Sequence, residues 1–225
     1  MTAMILAAGR GKRLRPLTDT IPKALVEVAG ETLLARHLRM LARAGIKNVV
    51  INLDWLGEQI IDLVGEGDRF DLQVTYSPEF GNVLETAGGI QRALPMLGNK
   101  SFWVVNADVY TDMDLPAIQL SDDALAHVLL VPTPDFKTIG DFDITNGRLA
   151  NGDNPEFTYS GISLYRPEFF QSLAPGRAAL GPMLRASADE GTITASMLDG
   201  VWEDVGTHER LERVRESEQC KRIDS

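Results

Sequence analysis

An apolar run close to the N-terminus leads directly into a loop rich in glycine and positive charge, and this junction is the strongest constraint on the fold. Residues 4–8 read MILAA, which is typical of a strand buried on both faces. The segment that follows contains two glycines and several cations: Gly9, Gly11, Lys12, Arg13, Arg15 and Lys23. Glycine lets backbone N–H groups approach a ligand closely, and fixed cations bind phosphate oxygens. The pattern therefore predicts a triphosphate site at the end of a buried strand.

Two common phosphate-binding loops do not fit this segment. A Walker A loop requires GxxxxGK[ST], and the sequence contains no such run. The dinucleotide fingerprint requires a third glycine, but that position is Leu14. An NAD(P)-dependent oxidoreductase is therefore disfavoured, although the order of elements begins as in a dinucleotide-binding unit.

The chain alternates strand and helix patterns. Up to residue 76, the predicted elements are a helix over 31–44, a strand over 48–53, a helix over 57–64 and a strand over 72–76. Later segments are predicted as strands over 102–108, 126–131, 158–165 and 193–198, and as helices over 85–94, 180–188 and 209–218. The alternation predicts parallel pairing with right-handed crossovers. The last helix, with its alternating charges, is expected to be a solvated outer face.

Composition narrows the class of protein. The net charge of −10 argues against a general nucleic-acid or membrane surface. The single cysteine, Cys220, excludes an internal disulfide framework and a cysteine-rich metal site. The N-terminal apolar run is too short for a signal peptide, and no apolar stretch is long enough to span a bilayer. A cytoplasmic enzyme is the simplest expectation.

Two features further along point to a ligand at the sheet. The predicted strand over 102–108 ends in Asp108, and ligands of open α/β sheets bind at the carboxyl ends of strands. A carboxylate there can hold Mg²⁺ against phosphate oxygens, although a turn or helix-capping aspartate is the alternative. Gly161 lies inside another predicted strand, where a glycine often marks the close approach of a ligand or of another backbone.

The basic loop resembles a family signature. The matching residues, in the pattern G-x-G-x-R-L-x-P-L-T followed by P-K-x-L, are Gly9, Gly11, Arg13, Leu14, Pro16, Leu17, Thr18, Pro22, Lys23 and Leu25. This string resembles the signature of the sugar-1-phosphate nucleotidylyltransferases, as do V-x-x-x-D at Asp108 and W-x-D-x-G-T around Asp204. The resemblance implies a Rossmann-like three-layer α/β fold with a mostly parallel mixed central sheet and a small sugar-binding lid region.

The resemblance also implies how the chain is organised. We expect one nucleotidyltransferase domain over residues 1–225, with a nucleotide-binding half over about 1–110 and a sugar-binding half over about 111–210. Family members with added functions carry a C-terminal β-helix domain, and none is expected here. The state of assembly is expected to be a monomer or a homodimer.

The family pattern assigns ligand-binding residues by their positions. Those assigned to the nucleotide are Ala8, Gly9, Gly11, Lys12, Arg13, Lys23, Glu79, Leu84, Thr86, Ala87 and Gly88. Thr86 is also a plausible helix N-cap. Those assigned to the sugar are Asn106, Asp141, Glu156, Ser160 and Gly161. For Asp141, Glu156 and Ser160, a role as solvated loop residues is an equal alternative.

The implied reaction is nucleotidyl transfer. The phosphate oxygen of the sugar 1-phosphate attacks the α-phosphorus of a nucleoside triphosphate, so the catalytic task is positioning and charge neutralisation. The resemblance assigns Arg13, Lys23 and Asp108 to catalysis, and Asp108 and Asp204 to Mg²⁺. A non-catalytic sugar-nucleotide sensor is the alternative from another class, although Lys23 and both aspartates are present.

The substrate pair is suggested by longer matches. MILAAG, VINLDWLG, FDLQVTYSPE, LETAGGI, VVNADV, GDF, FTYSGISLYRP and WEDVGT resemble short family members that use UTP and N-acetylmuramate 1-phosphate in bacterial cell-wall recycling. Lys137, Arg148 or Arg166 could meet the lactyl carboxylate of such a sugar. Close relatives instead use mannose 1-phosphate with GTP, or glucose 1-phosphate with UTP or dTTP.

Overall fold

The structure is a computed structural model that describes residues 1–81 and 84–223, with side chains up to residue 219. Its helices are α1 Leu33–Arg43, α2 Gly57–Val64, α3 Glu85–Leu97, α4 Leu180–Asp189 and α5 His208–Ile223. Its strands are β1 Thr2–Leu6, β2 Glu27–Val28, β3 Glu31–Thr32, β4 Asn48–Leu53, β5 Gln73–Pro78, β6 Phe102–Asn106, β7 Val109–Thr111, β8 Ala126–Pro132, β9 Asp143–Thr145, β10 Arg148–Ala150, β11 Phe157–Tyr165, β12 Ile193–Met197 and β13 Trp202–Asp204. The side chain of Cys220 lies outside the described residues.

One nine-stranded sheet runs through the described chain in the order β5-β4-β1-β6-β11-β8-β12-β10-β9. The first four strands of this order are mutually parallel, as the strand–helix alternation predicts. Strand β11 then pairs antiparallel with both β6 and β8, and β12 returns parallel to β8. The expected Rossmann-like fold with a mixed central sheet is therefore confirmed, with its antiparallel pairs in the second half.

Helices cover both faces of the sheet. Successive residues of a strand point to opposite faces, so Met4 and Ile5, both fully buried, belong to different cores. Ile5 packs in the core beneath α1, together with Leu38, whereas Met4 packs in the core beneath α3, together with Ile90. The three layers of the predicted fold follow from this alternation.

Several predicted boundaries shift in the structure. Helix α1 begins at Leu33 rather than at residue 31, because β3 pairs with β2 and the Thr32 hydroxyl accepts the Ala35 N–H at 3.1 Å. The prediction that Thr86 is an N-cap is wrong, since Leu84 precedes α3 and Thr86 lies within its first turn. Strand β6 ends at Asn106, so Asp108 lies in the turn before β7.

A two-stranded antiparallel ribbon of β7 and β13 stands beside the main sheet. Its register places Asp204 opposite Val109. Within the described residues, no helix is both long enough and apolar enough to cross a membrane.

Candidate active site

Two clefts open where the parallel strands end. The first, here called the β1 cleft, has a volume of about 510 Å³ and is lined by the loop that follows β1. The second, the β11 cleft, has a volume of about 800 Å³ and is lined by residues 158–161 of β11 and by the start of α5. Asn106 and Asp108 line both clefts, so the two cavities meet at the end of β6.

The glycine loop takes its shape from Gly11. Gly11 has a φ of 58°, and a Cβ atom added there would lie 2.8 Å from Cγ2 of Thr18. The Thr18 hydroxyl also donates to the Gly11 carbonyl at 2.8 Å. The backbone therefore folds tightly against the second part of the basic segment, as only glycine allows. Among the residues predicted for the nucleotide, this loop places Ala8, Gly9, Gly11 and Lys12 on the β1 cleft.

Lys23 reaches the point where the clefts meet. Its ammonium group lies 2.5 Å from Oδ2 of Asp108, and the residue is 8% exposed. An ammonium that is buried against a carboxylate is held in a fixed position. The lysine and the aspartate predicted for catalysis are thus brought into direct contact.

The floor of the β1 cleft contains a polar pair. Asn52 accepts the Ala7 N–H at 2.7 Å and donates to Oε1 of Glu79 at 2.8 Å. Glu79 is buried, and this burial raises the pKa of its carboxyl. Glu79 was predicted for the nucleotide. Asn52 was missed, although a lone amide at the end of the apolar run of β4 is a recognisable signal.

The start of α3 is only partly exposed to the β1 cleft. Leu84, Glu85 and Thr86 line it. Ala87 and Gly88, also predicted for the nucleotide, are not among its lining residues, and their N–H groups donate to the Ala178 carbonyl. A side chain on Gly88 would collide with the Gly176 carbonyl, so this glycine provides close packing against the segment before α4.

Four of the five residues predicted for the sugar lie together. Asn106, Asp141, Ser160 and Gly161 line the β11 cleft. Gly161 has a φ of 82°, and a Cβ atom there would lie 3.0 Å from Cβ of Asn106, which explains the glycine inside this strand. Glu156 is absent from the cleft lining, and its backbone bonds to Asp143 and Thr133.

Arg13 lines the β11 cleft rather than the β1 cleft, although the sequence assigned it to the nucleotide. The short helical turn Lys12–Leu14 separates its side chain from that of Lys12. Its Nη2 atom lies 2.8 Å from the position that a Cβ atom on Gly206 would occupy. Arg13 therefore lies beside the W-x-D-x-G-T motif that contains Asp204.

Among the residues of the β11 cleft that sequence reasoning missed, Arg210 and Trp202 make hydrogen bonds that hold its wall together. Arg210 pairs with Oδ2 of Asp204 at 2.8 Å and is 5% exposed, so the start of α5 is not the solvated face that was predicted. The Trp202 indole N–H donates to the Ser160 carbonyl at 2.8 Å and joins β13 to β11. Both depend on tertiary contacts that local patterns do not reveal.

The predicted metal ligands lie on one wall. Asp108 and Asp204 both line the β11 cleft, and the Val205 N–H donates to the Asp108 carbonyl at 3.0 Å. Two carboxylates beside a loop rich in glycine and positive charge provide the oxygen ligands that a hard divalent cation prefers. The described residues contain no group of three or more His, Cys, Asp or Glu side chains placed for a metal. Two carboxylates alone do not complete the coordination of a divalent cation. The donor set therefore fits a cation whose remaining ligands are phosphate oxygens.

Comparison with known proteins identifies the class. Residues 2–137 match the nucleotidyl transferase family, and the chain belongs to it. Enzymes of this family generally use a divalent metal.

Two relatives have the same name. The N-acetylmuramate α-1-phosphate uridylyltransferase of Neisseria meningitidis serogroup B is 44% identical, over 96% of this chain and 97% of its own. That of Caulobacter vibrioides is 30% identical, over 91% of each chain. A Bacillus anthracis crystal structure, described as a glucose-1-phosphate thymidylyltransferase with sucrose, is 22% identical and has the same fold, with a TM-score of 0.84 over 96% of this chain and 95% of that chain.

Proposed function

We propose that this nucleotidyltransferase transfers a uridylyl group from UTP to N-acetylmuramate 1-phosphate, giving UDP-N-acetylmuramate and pyrophosphate for peptidoglycan recycling. The observation that carries the proposal is the junction of the two clefts at Asn106 and Asp108, with Lys23 bound to Asp108. The names of the two relatives support the choice of substrates. Because one sheet runs through both halves, we treat residues 1–225 as one catalytic domain.

The chemistry needs alignment more than proton transfer. A phosphate oxygen of the sugar 1-phosphate attacks the α-phosphorus, the bond to the β-phosphate breaks, and pyrophosphate leaves from the opposite side. The nucleophile is an anion at neutral pH, so the enzyme's task is to hold two anions together. Lys23, at the junction, neutralises the reacting phosphates, and the N–H groups of Gly9 and Gly11 hold the triphosphate.

Asp108 and Asp204 would hold the cation, for which we propose Mg²⁺. When bound, it would supply charge neutralisation between the two phosphate groups. Arg13, beside Asp204, adds a planar guanidinium that suits the phosphate or pyrophosphate oxygens.

The sugar would occupy the β11 cleft against Asn106, Ser160 and Gly161. Of the three cations suggested for the lactyl carboxylate, Lys137 lines this cleft and pairs with Asp141 at 2.8 Å. Arg148 instead pairs with Asp123, and Arg166 donates to backbone carbonyls near Ala124.

The test is pyrophosphate release with Mg²⁺ from UTP, GTP and dTTP, each combined with the 1-phosphates of N-acetylmuramate, N-acetylglucosamine, mannose and glucose. Release that is strong only with UTP and N-acetylmuramate 1-phosphate is expected. Release with another pair would contradict the substrate choice and leave the reaction class intact. Binding without release from any pair would favour the sensor.

A further inference from the structure

Arg210 is a buried cation in the wall of the β11 cleft. Its Nη1 atom donates to Oδ2 of Asp204 at 2.8 Å, and its Nε atom donates to the Thr207 hydroxyl at 3.3 Å. The guanidinium carbon lies 4.2 Å from the centre of the Phe136 ring, on the segment that also contributes Lys137 to the cleft. Arg210 therefore has contacts with Thr207 and Phe136 that do not depend on Asp204.

A second arginine converges on the same point. Nη2 of Arg13 and Oδ1 of Asp204 each lie 2.8 Å from the position of a Cβ atom on Gly206, and Nη2 of Arg210 also approaches it closely. Glycine at position 206 thus leaves room for two guanidinium groups beside one carboxylate. Arg13 is exposed, whereas Arg210 is buried, so the charge of Arg210 is the one that needs an anion to compensate it.

Asp204 would share its negative charge between Arg210, which contacts Oδ2, and the proposed cation. It is half-buried, it is held by Arg210, and it is also a proposed cation ligand. A divalent cation bound to Asp204 would draw negative charge away from Arg210, which is 5% exposed and lies beside Arg13. An uncompensated buried charge is costly, so the wall would then attract another anion.

We propose that Arg210 is a displaceable counter-ion: it neutralises Asp204 in the free enzyme and binds an anionic group of the sugar 1-phosphate once a divalent cation occupies Asp204. This inference rests on the proposed function. Thr207 and Phe136 keep the guanidinium at the cleft during the exchange. The exchange makes the cation and the sugar phosphate bind cooperatively. The cation makes Arg210 available to an anion, and the anion of the sugar phosphate compensates the charge of Arg210.

Calorimetric binding without nucleotide tests this, since no turnover occurs. Mg²⁺ should strengthen the binding of N-acetylmuramate 1-phosphate to the wild type. Arg210→Gln should bind Mg²⁺ more tightly in the absence of sugar, since the competing cation is gone. The same variant should bind the sugar phosphate at least about tenfold more weakly with Mg²⁺ present, an effect typical of losing a charged hydrogen bond. A purely structural role would weaken both ligands.

Arg43→Gln is the control. Arg43 lines neither of the two clefts, its side chain is 56% exposed and its contact with Asp114 is 3.2 Å, so both affinities should change less than about twofold. Thermal unfolding checks that each variant is folded. If Arg210→Gln does not fold, Arg210→Lys decides: it keeps the charge but loses the planar contacts, and should show reduced cooperativity.

The sugar phosphate offers two anions, and a second titration distinguishes them. An equal loss with N-acetylglucosamine 1-phosphate, which lacks the lactyl carboxylate, assigns Arg210 to the phosphate; a loss confined to the muramate assigns it to the carboxylate. Unchanged constants in Arg210→Gln, or parallel weakening of Mg²⁺ and sugar, would overturn the inference. A wild type that binds no sugar 1-phosphate with Mg²⁺ present would also overturn this inference, whereas absence of pyrophosphate release from UTP with any sugar 1-phosphate would overturn the proposed function.

Discussion

The β1 cleft takes much of its lining from one continuous stretch, residues 6–12, whereas the β11 cleft is assembled from side chains far apart in the sequence. Asn106, Asp141, Ser160, Trp202 and Arg210 come from separate segments. A phosphate loop needs backbone N–H groups in fixed succession, which a local sequence can encode. A sugar pocket needs individual side chains at given points in space, and any element of the fold can provide them.

The two halves also differ in how their carboxylates are neutralised. Lys23 and Asp108 are 85 positions apart, so their contact exists only when the loop and the end of β6 are assembled. Arg210 and Asp204 are six positions apart, on β13 and the first turn of α5. The first pair therefore forms only when the two segments of the junction come together. The second pair forms between neighbouring elements on one side of the β11 cleft.

The largest effect is expected where the halves meet. Asp108→Asn should lower turnover about 1,000-fold, because it removes a proposed cation ligand and leaves Lys23 without its carboxylate. Pyrophosphate release measures the loss, and circular dichroism checks that the fold survives. Asp62→Asn, on the exposed face of α2, is the control and should have normal activity. Normal rates for Asp108→Asn with Mg²⁺ present would rule out the metal assignment.

Lys23→Ala tests whether the junction is catalytic or only binds substrate. We expect kcat to fall about 100-fold or more, because the ammonium acts on the reacting phosphates. Lys12→Ala removes a cation from the same cleft that does not touch Asp108, and should mainly raise the KM for UTP. If Lys23→Ala likewise raises KM alone, Lys23 serves binding and the two lysines are equivalent.

The same difference explains what the sequence could predict. The loop, Lys23 and Asp108 could be assigned from the sequence because each matches a spaced pattern of the family, and the structure brings Lys23 and Asp108 into contact. Arg210 was missed because it lies in a highly charged helix, where only the packing of Phe136 and Asp204 around it distinguishes it from solvated neighbours. Glu156 was assigned to the sugar but lies away from the cleft, because a loop sequence does not fix where a side chain points.

Two buried histidines extend the comparison to stability. His37 in α1 is fully buried, and this burial lowers its pKa from 6.5 to about 4. His127 in β8 is 8% exposed, its nitrogens contact the hydroxyls of Thr194 and Ser196 at 2.9 Å, and burial lowers its pKa as well. The unfolded chain takes up a proton on His37 near pH 6.5, whereas the folded chain resists it. The contribution of His37 to the free energy of unfolding is therefore complete above pH 6.5 and is lost as the pH falls to about 4.

His37→Leu should flatten this part of the stability profile. The wild type should lose up to about 3 kcal/mol between pH 6.5 and 4 through this residue, since one pKa unit corresponds to about 1.4 kcal/mol. Urea unfolding at a series of pH values measures the difference between the two proteins. His127→Leu should keep most of the acid slope. An unchanged slope in His37→Leu would show that His37 does not control acid stability.

The smallest expected effects come from two tryptophans, one in each half, whose indole N–H groups donate to backbone carbonyls. Substituting them tests whether each cleft binds its own substrate. Trp202 donates to Ser160 at 2.8 Å on the β11 side, and Trp55 donates to Thr18 at 3.0 Å behind the glycine loop. A Trp→Phe change keeps a ring and removes the N–H, which costs about 1 kcal/mol, or roughly fivefold. Trp202→Phe should raise the KM for the sugar 1-phosphate, and Trp55→Phe the KM for UTP. If either variant raised the KM for UTP and the KM for the sugar 1-phosphate equally, the two halves would respond as one unit. The clefts would then be built from different segments but coupled in substrate binding.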